Sequence, residues 1–182
     1  MAEYHSLWKA FTARSPEALE ELYQRLDPSP VWDTLFRLLR EYPSLENGLS
    51  LTECQILDAI HLGTSSPRSL YDRCSEVENL PFLNDWEFWE TVNRLTVGET
   101  PLVSSSAPEG FLRPPSVMAD QDFHNQELSL TDYGWKVLSE GSHYGAGDYQ
   151  SRWIGGVEVS KASLLCWDYS RSCIEVWSEA NS

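Results

Sequence analysis

Residues 84–103 read NDWEFWETVNRLTVGETPLV. Asn84 or Asp85 can cap the first free amide groups of a helix, and the apolar residues that follow recur at helical spacing before a short strand. Two shorter helical patterns precede this segment. A winged-helix domain carries its DNA-reading helix in that position. Here the helix has two tryptophans and three carboxylates against a single arginine, Arg94. The expected buried stripe is Trp86, Trp89, Val92 and Leu95, which leaves Glu87, Glu90, Thr91 and Arg94 outward.

Working outward, LTECQILDAIHLG begins at Leu51 and ends at Gly63, a natural C-terminal cap. Thr52 with Gln55 three residues on reads as a capping box, and Ile56, Leu57 and Ile60 as the buried face. Ser66-Pro67 opens a second helix with Leu70 and Cys74 on one side. On the other flank, TPLVSSS and QELSLT read as two strands around a long wing loop, 104–127, rich in Pro, Ser and Asp and expected to be mobile. Thr131 then caps TDYGWKVLSEG, with Trp135 and Leu138 inward and Gly141 at its end. Residues 49–142 are thus expected to form a winged-helix-like three-helix core.

Residues 1–48 read as a helical layer. Leu7, Trp8 and Phe11 share an expected face, and Ser15-Pro16 and Ser29-Pro30 are helix starts. Val31, Leu35, Leu38 and Leu39 form a stripe that Pro43 stops. In residues 143–182, Leu165, Trp167 and Tyr169 alternate against Cys173, Glu175 and Trp177, which predicts a hairpin turning at 170–172. The Gly155-Gly156 pair reads as a bulge or a tight backbone approach. These strands are expected to form a small antiparallel sheet packed on the core. The fold class is α+β, mainly helical.

Taken in order, LTECQILDAI, PFLNDWEFWETVNRL, PLV, LSLTDYGWKVLSEG and RWIGGVEV with the later WD form a recognisable set. It resembles the C-terminal region of an uncharacterised bacterial family of domain-of-unknown-function proteins, over roughly residues 30–168. Longer members carry an additional N-terminal domain with a Gly-Asp-Ser-like opening, which has no counterpart in this sequence. The resemblance implies a bacterial protein and lends no activity. The layout is also similar to MarR-like winged-helix regulators, in which a helix beginning LT-x-x-G follows the wing. That likeness implies shape, and shape alone implies no function.

Charge decides more than motif does. The 182 residues carry 13 Lys and Arg against 28 Asp and Glu, a formal charge of -15, and no quarter of the chain is net positive. Such a chain repels nucleic acid and anionic membrane, both of which are bound by neutralising phosphates. The expected partner is a protein with a basic or neutral surface. No apolar run is long enough to span a bilayer and the N-terminus lacks signal-peptide order, so the expected location is the cytoplasm. The four cysteines, Cys54, Cys74, Cys166 and Cys173, show no metal-site spacing and read as small buried hydrophobes, with a Cys166–Cys173 bridge the less favoured possibility.

No catalytic or cofactor motif emerges. The histidines lack ligand spacing, His61 suits a helix C-terminus, and His124 with Asp120 and Asp122 offers at most a weak metal site. Neither a nucleophile elbow nor a phosphate loop is present, so no cofactor and no catalytic activity are expected. The candidate partner contacts are Glu87, Glu90 and Arg94 on the 84–97 helix, with Trp153 and Trp177; Trp32 is a further aromatic of interest. The reading is an acidic protein-interaction domain. Its rivals are a DNA-binding transcriptional regulator and an inhibitor or immunity-like protein that uses its acidic surface.

Overall fold

Helix starts follow the capping chemistry. In the computed structural model, which describes residues 2–79, 82–107, 110 and 121–178, Ser29, Ser66, Asn84 and Thr131 each accept a hydrogen bond from a backbone amide in the first turn they cap. Eight helices and six short strands lie among the described residues. The helices are α1 (Ala2–Phe11), α2 (Glu17–Arg25), α3 (Pro30–Leu39), α4 (Leu51–His61), α5 (Pro67–Glu76), α6 (Asp85–Thr96), α7 (Gln121–Asn125) and α8 (Asp132–Ser139). The strands are β1 (Val103–Ser105), β2 (Leu128–Leu130), β3 (Arg152–Ile154), β4 (Val157–Val159), β5 (Leu165–Asp168) and β6 (Cys173–Val176). The protein is α+β. Among the described residues its strands pair as three antiparallel hairpins, β1–β2, β3–β4 and β5–β6.

The chain divides into two compact units, and the first is discontinuous: it joins residues 1–51 to residues 149–182. Here α1, α2 and α3 pack together around Leu19, Leu22, Leu35 and Leu39. Past α3 the chain turns extended at Pro43, and Ser44 lies parallel to Trp167 of β5. The Trp167 amide donates to Pro43 O at 2.7 Å and the Leu45 amide to Trp167 O at 3.0 Å. The β5–β6 turn spans residues 169–172, one longer than expected, and Ser172 takes a positive φ of 52°. Asp168 organises it by accepting from the Ser170 amide and hydroxyl and the Arg171 amide. The Ser170 hydroxyl is the main reason its carboxyl lies below the usual range.

Gly155-Gly156 is the two-residue turn of the β3–β4 hairpin, since Ile154 pairs with Val157. It is also a tight approach. A Cβ on Gly155 would overlap the Phe11 carbonyl oxygen, and the Gly156 amide donates to that same oxygen at 2.9 Å. Cys166 faces Glu175 and Cys173 faces Asp168 across the other hairpin, so the two thiols are not opposed; none of the four cysteines forms a disulfide.

The second unit, 52–148, packs Ile56, Leu57, Leu70, Phe88, Trp89, Val92 and Leu95 from α4, α5 and α6 into its interior. A Schellman turn ends α4: Thr64 N–H donates to Ala59 O and Gly63 N–H to Ile60 O, with Gly63 at φ 97°. The β1–β2 hairpin pairs Val103 with Leu130. Gly134 of α8 sits where any Cβ would overlap the Leu102 carbonyl, so the helix lies directly on the chain entering β1. No helix of the described residues is long and apolar enough to cross a membrane.

Four expectations are corrected. α4 begins at Leu51, so Thr52 is a buried first-turn residue and not the cap. The closing strands are separate hairpins and do not form one sheet, because β4 and β5 do not pair. The expected loop contains α7, anchored by the buried Phe123 against Trp89, with ring centroids 5.2 Å apart. Residues 108–109 and 111–120 of that loop lie outside the described residues. Finally, Trp86 and Trp135 were expected inside and are 51% and 39% exposed, and Trp8, expected to share a face with Leu7 and Phe11, is 64% exposed.

Helix geometry explains the tryptophans. At about 100° per residue, positions nine apart lie on opposite sides, so Trp86 and Leu95 cannot share a buried face. The interior of α6 is centred on Phe88, Thr91, Val92 and Leu95. On α1 the buried side is centred on Ala10, two residues and most of a half-turn from Trp8. On α8 it is centred on Gly134 and Val137, one position round from Trp135.

Candidate interaction surfaces

The outer face of α6 starts at its cap. Asn84 Oδ1 accepts from the Glu87 amide and Asn84 Nδ2 donates to the Glu87 carboxylate, both at 2.9 Å. Asp85 Oδ1 accepts from the Trp86 amide at 2.8 Å. Carboxylates at a helix N-terminus are favoured by its dipole. Asp85, Trp86 and Glu87 are all exposed, so an aromatic ring stands in water between two acids. Glu90 is half-buried.

Arg94 was expected outward and is half-buried instead. Its Nη2 donates to the Thr91 hydroxyl at 3.0 Å, and that hydroxyl donates to Glu87 O at 3.1 Å. Thr91, also expected outward, is only 3% exposed. The helix's single cation is thereby drawn back along its own surface. The wing residues Glu109, Arg113 and Asp120 lie outside the described residues, as does the Asp122 side chain.

Trp153 is 68% exposed on the outer side of the β3–β4 hairpin, opposite Glu158. Trp177 is half-buried beyond β6, where its backbone amide donates to Leu164 O at 2.9 Å. Trp32 stacks with Tyr23 and Phe36 at 5.2 and 5.3 Å and is half-buried. Of the five expected contact residues, Glu87, Glu90 and Arg94 belong to one unit and Trp153 and Trp177 to the other. Sequence reasoning missed the exposed Tyr4, Trp8 and Trp86, although the nine-residue spacing of Trp86 and Leu95 carried the signal for the last.

Other features of reactive type are accounted for locally. Burial pushes the Cys74 and Cys166 thiols up to about 12, which keeps both protonated near neutral pH. His61 stands at the end of α4 with its ring 4.7 Å from that of Trp135, on the wall of an open hollow of about 300 Å³ between α4, β2 and the start of α8. The Thr131 hydroxyl at that hollow is already engaged, donating to Pro101 O at 2.7 Å while capping α8. Among the described residues, no three His, Cys, Asp or Glu side chains come together as a metal site.

No protein-family model, curated protein or solved structure gives a significant match to the chain.

Proposed function

We propose that the chain is an acidic protein-interaction domain, with α4, α5 and α6 as a winged-helix-like core and β1–β2 as its wing, that engages a partner of basic or neutral surface. The observation that carries this reading is the exposed first turn of α6, where Trp86 is 51% exposed between Asp85 and Glu87. An exposed tryptophan supplies apolar area to an interface, and flanking carboxylates select cations at its rim. The same turn is unsuited to a phosphate backbone, because Arg94, the helix's cation, is bonded to Thr91. A cytoplasmic location fits cysteines that form no disulfide.

The test is a pull-down with the tagged chain at low salt, with protein and nucleic acid in the eluate both quantified. The expected result is a stoichiometric protein partner, lost with Trp86→Ala and weakened by Glu87→Gln. DNA that survives moderate salt would sink the reading and favour a transcriptional regulator.

A further inference from the structure

We propose that the hollow between α4, β2 and the start of α8 is a binding site for a guanidinium group, filled by an arginine side chain of a protein partner. All three elements belong to the same unit. α4 ends at the hollow with His61, and α8 contributes Asp132 and Trp135, whose spacing makes them neighbours on one helix face. The His61 and Trp135 rings meet at 4.7 Å between centroids and 45° between planes. Rings in such direct contact leave no gap for a guest between them, so they form one aromatic wall on which a guest lies.

Charge decides what that guest is. Asp132 is the one carboxylate among the lining residues, which include no lysine or arginine. α4 and β2 contain neither, and the single cation of α8, Lys136, is exposed outside the lining. Among the described residues, the exposed Asp132 carboxylate makes no hydrogen bond and no ion pair, with Lys136 or otherwise. The C-terminal end of α4 opens onto the same hollow through His61 and Gly63, and the negative end of a helix dipole favours a cation. Asp58, exposed one turn before His61, and Glu127, exposed just before β2, carry the same sign.

Shape narrows the cation. A guanidinium is planar and weakly hydrated, so it lies flat on an aromatic face while its fork of N–H donors reaches a carboxylate. An ammonium is a strongly hydrated point charge and does neither as well. The hollow is open to solvent and holds about 300 Å³, the lower end of the range for small-molecule pockets. That suits one side chain reaching in from another surface. The choice of a protein's arginine rests on the basic partner proposed above. Asp85, Trp86 and Glu87 do not line the hollow, so this is a further contact.

The test is a titration of the isotope-labelled full chain with N-acetyl-arginine amide, followed at the tryptophan indole N–H resonances. It is run at low salt and at about pH 8, above the ordinary range of histidine titration, so that no imidazolium opposes the guest. The expected result is a saturable shift at Trp135 and none at Trp153, which is 68% exposed and also faces a carboxylate residue, Glu158, across its hairpin. The uncharged, isosteric citrulline analogue gives no saturable shift, and the lysine analogue binds at least about threefold more weakly. Asp132→Asn, at an exposed position, weakens arginine binding about tenfold. Trp135→Ala, followed at the Asp132 amide, abolishes it. Trp86→Ala leaves the Trp135 shift unchanged, so a failed pull-down and a failed titration are separate results.

No saturable shift at Trp135 would overturn the inference, as would an equal response to the citrulline or lysine analogue, or arginine binding untouched by Asp132→Asn. Full retention of the pulled-down partner by Asp132→Asn would overturn the protein occupant, by assigning the hollow to a free guanidinium compound.

Discussion

Helices α1 and α6, one in each unit, both carry aromatic residues at helical spacing and place them differently. α6 buries Phe88 and Trp89 against each other and against Tyr71 and Phe123, with ring centroids 5.0 to 5.8 Å apart, and leaves only Trp86 outside. α1 buries Ala10 and leaves Tyr4 and Trp8 in water. The contrast shows that a tryptophan on an amphipathic helix reports packing in one unit and an available surface in the other. The deciding quantity is what the rest of the chain brings to that face. Tyr71 of α5 and Phe123 of α7 supply the rings that meet Phe88 and Trp89 of α6.

The strongest way to break this comparison is to truncate the rings. Trp89→Ala should cost about 3–5 kcal/mol in urea unfolding, by lost burial and a residual cavity. A cost no larger than that of an exposed tryptophan would mean that α6 packs otherwise. Glycine contacts come next. Gly155→Ala forces an L side chain into φ 57° and onto the Phe11 carbonyl, and should cost about 3 kcal/mol and loosen the hairpin from α1. Gly134→Ala meets the Leu102 carbonyl without the backbone strain and should cost about 1–3 kcal/mol, read as a lowered Tm.

The buried thiols sharpen the comparison under alkaline conditions, with Cys74 in one unit and Cys166 in the other. Both pKa values rise on folding, from about 9 to about 12, chiefly through burial. The unfolded chain therefore loses these protons first. Stability is full below about pH 9 and falls as pH rises toward 12, by about 1 kcal/mol per thiol one unit above the unfolded value. Replacing either cysteine by alanine should flatten this slope in pH-dependent urea titrations; an unchanged slope would place the thiol in water. Asn84→Ala should cost about 1 kcal/mol by uncapping α6 and releasing Glu87. The smallest effects belong to the exposed rings: Trp8→Ala and Trp86→Ala should each change monomer stability by less than about 0.5 kcal/mol, measured at low protein concentration.

Much of the local structure was legible. Ser29, Ser66, Asn84 and Thr131 cap the helices that their sequences announce, and Gly63 and Gly141 end helices with positive φ. The β1–β2 pairing falls in the two segments read as strands around the loop, and the β5–β6 pairing falls where alternation placed a hairpin. The candidate contacts were legible only in part. Glu87 and Trp153 are exposed as expected, while Arg94 turns back onto Thr91 and Trp86 replaces it on the outer face. Strand was expected across residues 152–159, but the chain reversal at Gly155-Gly156 that makes it the β3–β4 hairpin was read as a bulge or tight approach, and α7 was missed, since a five-residue helix is too short to display a period.

Helix starts, helix ends and tight turns were determined by the sequence alone, because a cap or a turn needs only atoms within a few residues. The tertiary structure decided which side of α1, α6 and α8 faces inward, the docking of Phe123 on Trp89, and the joining of residues 1–51 with 149–182. Each of these rests on contacts between residues far apart along the chain, and a periodic pattern shows that a face exists without showing what will cover it.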